Sequence, residues 1–270
     1  MQRETAIAAG GAAAAGIAGG LIGLGGAEFR LPLLAGPLAV SLRHAVPLNL
    51  AVSLCVVLAA LPLRLLQADA LPSPHFVVAA IAIATGAMLA AFKGAQLLLQ
   101  LPVNRLAFLV KGLLASLGVV MLVEAALPMT AVGLLAGHPV AEAAVGFLMG
   151  IAIGLVSSLL GVAGGELIIP TLVIGYGVPV KEAGTLSILI SIPAMVAGIL
   201  KYRRLGGFRS TAMAAFFKPM AAASIVAAFA GAAMIGLIPA HALKVILGLL
   251  LIWSAWHAVP VQPAGKPGGS

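Results

Sequence analysis

The stretch Gly23-Leu24-Gly25-Gly26-Ala27-Glu28-Phe29-Arg30-Leu31-Pro32 has a gap-free counterpart 138 positions later, Gly161-Val162-Ala163-Gly164-Gly165-Glu166-Leu167-Ile168-Ile169-Pro170. At the same offset Gly16 meets Gly154, Leu21 meets Leu159, Leu34 meets Leu172, Val40 meets Val178, Ala45 meets Ala183, Leu48 meets Leu186 and Ser53 meets Ser191. Self-similarity of this length marks an internal duplication, so the chain is read as two copies of one plan.

Each copy interrupts an apolar run with glycines and a glutamate, then starts a short apolar piece afresh. In hydrocarbon an unpaired backbone N–H or C=O costs several kcal/mol, so such a break survives only where protein covers it or water reaches it. Paired glycine-broken segments at equivalent places in two halves point to a transporter site near the bilayer midplane.

Composition supports a membrane setting. Hydrophobic residues make up 62% of the 270 positions and charged residues 8%, against about 25% charged in soluble domains; mean hydropathy is +1.19. The chain reads as one polytopic membrane domain built from a first repeat over 1–135 and a second over 136–259, with a Pro/Gly tail over 260–270 expected to be disordered. A net charge of +8 would point to nucleic acid in a soluble protein. Here the basic residues sit between apolar spans and act as topology signals, so no nucleic-acid partner is expected. The single cysteine, Cys55, excludes an intramolecular disulfide and reads as a packed thiol. The Ala/Gly-rich start looks like a signal peptide, yet Gly16 to Gly26 has its counterpart at Gly154 to Gly164.

A membrane helix needs about 20 apolar residues. The pattern predicts a first segment from Thr5 to Ile22 and a piece from Phe29 to Val40 too short to cross, together a hairpin of two short or tilted helices. Spans follow at His44 to Leu66, His75 to Phe92 and Val103 to Leu127. The second half repeats this with Val140 to Leu160, Leu167 to Val178, Lys181 to Leu200, Ser210 to Leu237 and Ala240 to Val259. The fold class is therefore all-α, two repeats each made of a glycine-broken hairpin and three transmembrane helices. The densest basic loop, Lys201, Arg203, Arg204 and Arg209, is placed in the cytoplasm, and counting spans from it puts both termini inside. The hairpins then enter from opposite sides, so the repeats are expected to be inverted. Tyr202, Trp253 and Trp256 fall at the predicted inner interface.

A helix that starts in mid-membrane points free N–H groups and the positive end of its dipole at whatever precedes it. Two such starts, built on Gly23, Gly25 and Gly26 and on Gly161, Gly164 and Gly165, suit a small anion. Ser157 and Ser158 precede the second break, and Asn49, Ser53, Ser187 and Ser191 recur at a spacing of four on the following spans, one face of each helix. These side chains either donate to a ligand or serve as helix-packing material. Glu28 and Glu166 either carry protons at membrane depth or cap the short helices that follow them. Arg30, opposite apolar Ile168 in the second copy, is an anion contact or a partner of Glu28. Lys111 and Lys218 either attract an anion from the cytoplasm or snorkel. His44, His75, His138, His241 and His257 scatter over predicted span ends and loops. With no catalytic set and no metal-ligand spacing in the spans, neither an enzyme nor a metal or cofactor is expected.

The duplicated Gly-x-Gly-Gly-like break, the acidic residue and the downstream proline resemble the TauE/SafE sulfite exporter family, also called the 4-toluene sulfonate uptake permease family. The resemblance covers nearly the whole membrane region. Gly154 to Pro170 carries it best, and Gly23 to Pro32 is the weaker copy, with Ala27 and Arg30 in place of glycine and an apolar residue. It implies a bacterial inner-membrane transporter of sulfite, sulfoacetate or other organosulfonates, working by alternating access. An anion channel using the same half-helix dipoles is the alternative. The inside-negative potential would favour anion export by about 2.3 kcal/mol per charge per 100 mV.

Overall fold

A chain in hydrocarbon must pair its backbone groups within each segment, which a helix does with neighbours four residues away. The computed structural model describes residues 2–22, 26–66, 73–127, 133–135, 139–233 and 240–257, and all regular structure among them is helical. In order these are α1 (Gln2–Ile22), α2 (Ala27–Ala35), α3 (Leu42–Leu65), α4 (Val77–Gln100), α5 (Val103–Ala126), α6 (Pro139–Leu160), α7 (Gly165–Pro170), α8 (Val180–Arg204), α9 (Thr211–Ala233) and α10 (Ala240–His257). Helix α7 runs on into a π-helical turn over Thr171–Gly175. Six of these helices, α3, α4, α5, α6, α8 and α9, are long and apolar enough among the described residues to cross a membrane.

One expectation is narrowed and one is corrected. Helices α1 and α6 have 21 and 22 residues, and at a rise of about 1.5 Å per residue each approaches the hydrocarbon thickness. The incoming arms are thus full length, and only the returning arms are short, nine residues in α2 and six in α7. Proline weakens both arms, inside α2 at Pro32 and at the end of α7 at Pro170. Pro32 and Pro170 each stand four residues after the glutamate of their copy and have no N–H to donate to its carbonyl. The correction is Tyr202, whose ring is fully buried inside the protein rather than exposed to an interface; its phenol finds a backbone acceptor there. Trp253 and Trp256 are exposed on α10.

Each returning arm folds back along its incoming arm. Gly26 lies against Ala15 and Gly11 against Leu33 in the first copy. In the second, Gly164 lies against Ile153, and the Tyr176 hydroxyl donates to the Glu142 carbonyl at 2.7 Å. Ala15 and Ile153 are themselves 138 positions apart.

Small residues set the closest helix crossings, as expected where no water drives association and packing must do the work. A Cβ on Gly150 would lie 2.2 Å from the Ile83 carbonyl oxygen and one on Gly154 2.2 Å from that of Ala87, so α6 fits against α4 only with glycine there. Gly16, the counterpart of Gly154, meets the Ser224 carbonyl oxygen of α9 in the same way at 2.7 Å. The main packing pairs are α4 with α6, α1 with α9, α5 with α10, α4 with α8, α3 with α9 and α3 with α8. Exchanging the two copies turns α4–α6 into α9–α1 and α4–α8 into α9–α3, and maps α5–α10 and α3–α8 onto themselves. Outward faces are apolar, with Ile81, Phe108, Leu148 and Val226 all exposed.

Candidate functional site

The described residues beside both sequence breaks, Ala27 in the first copy and Leu160 and Gly161 in the second, are brought together in the interior against one helix. Gly26 and Gly164 both adopt left-handed backbone, φ 67° and 80°, and each caps the start of its short helix. Only glycine takes that conformation without strain. Gly23 and Gly25 lie outside the described residues. In the second copy Gly161 is also left-handed, at φ 69°, and sits so close to α3 that a Cβ would fall 2.3 Å from the Val46 carbonyl oxygen.

Helix α3 is the frame that holds both breaks. Asn49 Nδ2 donates to the Ala27 carbonyl at 2.8 Å and to the Leu160 carbonyl at 3.2 Å, one acceptor from each copy. Ser53 Oγ lies 2.6 Å from the Asn49 carbonyl and 3.2 Å from that of Gly161. Arg30 completes the frame from α2: Nε donates to Asn49 Oδ1 at 3.0 Å, Nη2 to Ser53 Oγ at 2.9 Å and Nη1 to Ser224 Oγ at 3.2 Å. Ser224 Oγ in turn donates to the Ala12 carbonyl of α1 at 3.1 Å. Arg30 is 0% exposed, so its charge is usable only because this planar fork is met by oriented acceptors.

The equivalent face of α8 behaves differently. Ser191 Oγ donates to the Ser187 carbonyl at 2.6 Å and Ser187 Oγ to that of Gly184 at 2.8 Å, both within the helix. Ser157 Oγ donates to the Val162 carbonyl and steadies the second break, while Ser158 Oγ donates back to Leu155. The hydroxyl protons of Ser53, Ser157, Ser158, Ser187 and Ser191 are therefore directed at carbonyls in this conformation. Contact with an anion by any of them requires that hydroxyl to turn.

Glu28 and Glu166 are both buried, and their carboxyl groups lie close enough to interact. Each also lies beside its own backbone N–H, where a carboxylate favours the helix start. Arg30 is close enough to Glu28 for their charges to interact. Lys218 is exposed and Lys111 half-buried.

Sequence reasoning missed Ser224 and Tyr202. The signal for Ser224 was present, since it is the one hydroxyl inside the apolar body of α9 beyond Thr211. Its partner Arg30 is 194 positions away. Tyr202 Oη donates at 2.7 Å to the Ser158 carbonyl, one of the last carbonyls of α6, which has no partner within its own helix. Tyr202→Phe is expected to lower stability by about 1–3 kcal/mol, the cost of a buried acceptor left unpaired. A thermal unfolding midpoint in detergent equal to that of the unaltered protein would show that this cap carries no energy.

The family model for sulfite exporter TauE/SafE matches residues 7–258, which takes in both breaks and runs from α1 through the end of α10. The chain belongs to the TauE/SafE sulfite exporter family. No curated protein and no solved structure matches. Membership in TauE/SafE makes this a multi-pass membrane protein of a family of exporters of sulfite and related sulfur anions, in keeping with its apolar helices. The family is one of transporters rather than enzymes. In this TauE/SafE chain the duplicated motif supplies the break glycines and glutamates, whereas the frame around them comes from α3, α9 and one arginine.

Proposed function

We propose that this TauE/SafE protein is a secondary transporter that exports sulfite or a small organosulfonate by alternating access, binding the anion near the two helix breaks at the bilayer midplane. The observation that carries the reading is the convergence of both breaks, one from each copy, on the buried frame of Asn49, Ser53 and Arg30. The described break residues Gly26 to Glu28 and Gly161 to Glu166 are all buried, the arrangement of a site closed to both sides.

The two units are repeats over 1–135 and 136–259, related by inversion in the membrane plane. Support comes from the exchange of packing pairs and from Gly26–Ala15 matching Gly164–Ile153. Alternating access then follows from the unequal roles of α3 and α8. In the described state α3 grips both breaks while the α8 serines fold back on their own helix, and movement of one repeat against the other releases the first grip and frees the second set. The basic Lys201 to Arg209 loop is cytoplasmic, as are both termini, in a bacterial inner membrane.

The test is anion flux in proteoliposomes, comparing sulfite, sulfoacetate, sulfate and chloride under an imposed potential, with Gly164→Leu as the site variant. Gly164 suits this use because a Cβ there meets side chains, Ile153 at 3.1 Å, Ser157 at 3.7 Å and Ile168 at 3.9 Å, rather than backbone. Saturable flux of sulfite or a sulfonate that Gly164→Leu abolishes in a folded protein is the expected result. Equal flux in the variant removes the breaks as the site. Flux of every anion without saturation supports a channel, and no flux of any sulfur anion removes the substrate class.

A further inference from the structure

Two carboxyl groups, one from each copy, occupy the same dehydrated space. Glu28 is 1% exposed and Glu166 5%, and the two carboxyl groups lie close enough to interact. Two ionised carboxylates in one buried space repel, and neither can donate to the other, so a proton on one of them stabilises the pair. A second feature is independent of that contact: Oε1 of Glu28 is buried with no hydrogen-bond partner. A buried acceptor left empty is costly, and this one offers a place for one further donated hydrogen.

The charges facing the pair are few. Arg30 acts on Glu28, and Glu124 of α5 acts more weakly on Glu166; the frame residues Asn49 and Ser53 are neutral. With one proton the pair carries a single negative charge, which the Arg30 guanidinium offsets. A monoanion arriving beside the helix starts adds a negative charge to a buried volume already in balance. Like charges there disfavour ionisation of a carboxyl, so a second proton restores neutrality.

We propose that the Glu28–Glu166 pair is the proton site of the transporter and takes up one proton with each sulfur anion, so that proton and anion cross together. This rests on the placement of the anion near the breaks set out above. No covalent bond forms or breaks; a proton from water joins the pair as the anion binds and leaves as it departs. Linkage makes the effect reciprocal, since an anion that raises proton affinity is itself bound more tightly by the protonated pair. One proton with one monoanion moves no net charge. The membrane potential therefore drops out, and export runs on the gradients of the anion and the proton.

Two measurements on the full chain in proteoliposomes test this, with E28Q/E166Q as the variant because amides keep the shape and polarity of the pair. The first is infrared absorption by a protonated carboxyl at neutral pH, expected in the unaltered protein and lost in the variant. The second is uptake of isethionate and sulfite with a trapped pH dye. Isethionate stays singly ionised, so acidification of the lumen in step with its entry reports the protein's own proton. Apparent isethionate affinity is expected to tighten as pH falls, by up to about tenfold per pH unit where the pair titrates. The variant is expected to move anion without proton and without that pH dependence. An absent protonated-carboxyl band, anion flux with no proton flux in the unaltered protein, or an unchanged proton-to-anion ratio in the variant would each overturn the proposal. A band with no flux of either anion overturns the transport reading, and with it the coupling, while leaving a proton on the pair.

Discussion

Arg30→Ala is expected to destabilise the protein by about 3–5 kcal/mol, the usual loss when one member of a buried charged network is removed and the rest stays behind. The residue is wholly buried and donates to Asn49, Ser53 and Ser224, so its loss leaves three polar side chains on α3 and α9 short of a partner and Glu28 without its neighbouring cation. Arg30→Lys is expected to recover only part of this, because one ammonium does not reproduce a planar fork aimed at three separate acceptors. The measurement is the unfolding midpoint in detergent, with the folded fraction read by size-exclusion chromatography. A frame residue and a ligand contact separate cleanly here. If Arg30 serves the substrate alone, Arg30→Ala keeps its midpoint and loses only anion affinity.

Gly26→Val is expected to cost more, above about 4 kcal/mol, a range reached only by backbone clash or similar disruption. Its φ of 67° is left-handed, which alone costs a residue with a side chain about 1–2 kcal/mol. A Cβ would also stand 1.7 Å from the Ala15 carbonyl oxygen. That oxygen belongs to α1, whose position is set by its seam with α9, so it has nowhere to retreat. Gly164→Ala has the same backbone problem, at φ 80°, but its new Cβ meets side chains, Ile153 nearest at 3.1 Å, and no backbone. Its expected cost is the conformational part, about 1–2 kcal/mol. The comparison is membrane yield and melting of the two variants side by side. Equal losses would show that the approach to Ala15 does not decide the outcome.

The helices themselves were legible from hydropathy, because a membrane helix satisfies its backbone locally and its length is set by the bilayer. Predicted spans such as Val103 to Leu127 and Val140 to Leu160 meet α5 and α6 within a residue or two at each end. The returning arms were less legible. The apolar run continues past Ala35 to Val40, but Gly36 and Pro37 end α2, and Pro170 turns α7 into a wider helix. The polar face of Asn49 and Ser53 could be read from a spacing of four, since that spacing is a property of one helix.

What the sequence determined by itself was the duplication, the membrane setting, the helical class and the residues that interrupt the helices, all of which depend on order along the chain and on hydrocarbon as the solvent. What only the tertiary structure decided was the set of partners. Arg30 finds Ser224, Asn49 joins Ala27 to Leu160, Tyr202 caps α6, and Glu28 meets Glu166 across the two copies. These pairings span dozens to nearly two hundred positions. They are set by which small-residue seams bring which helices together, a property of the packed whole that no local period encodes.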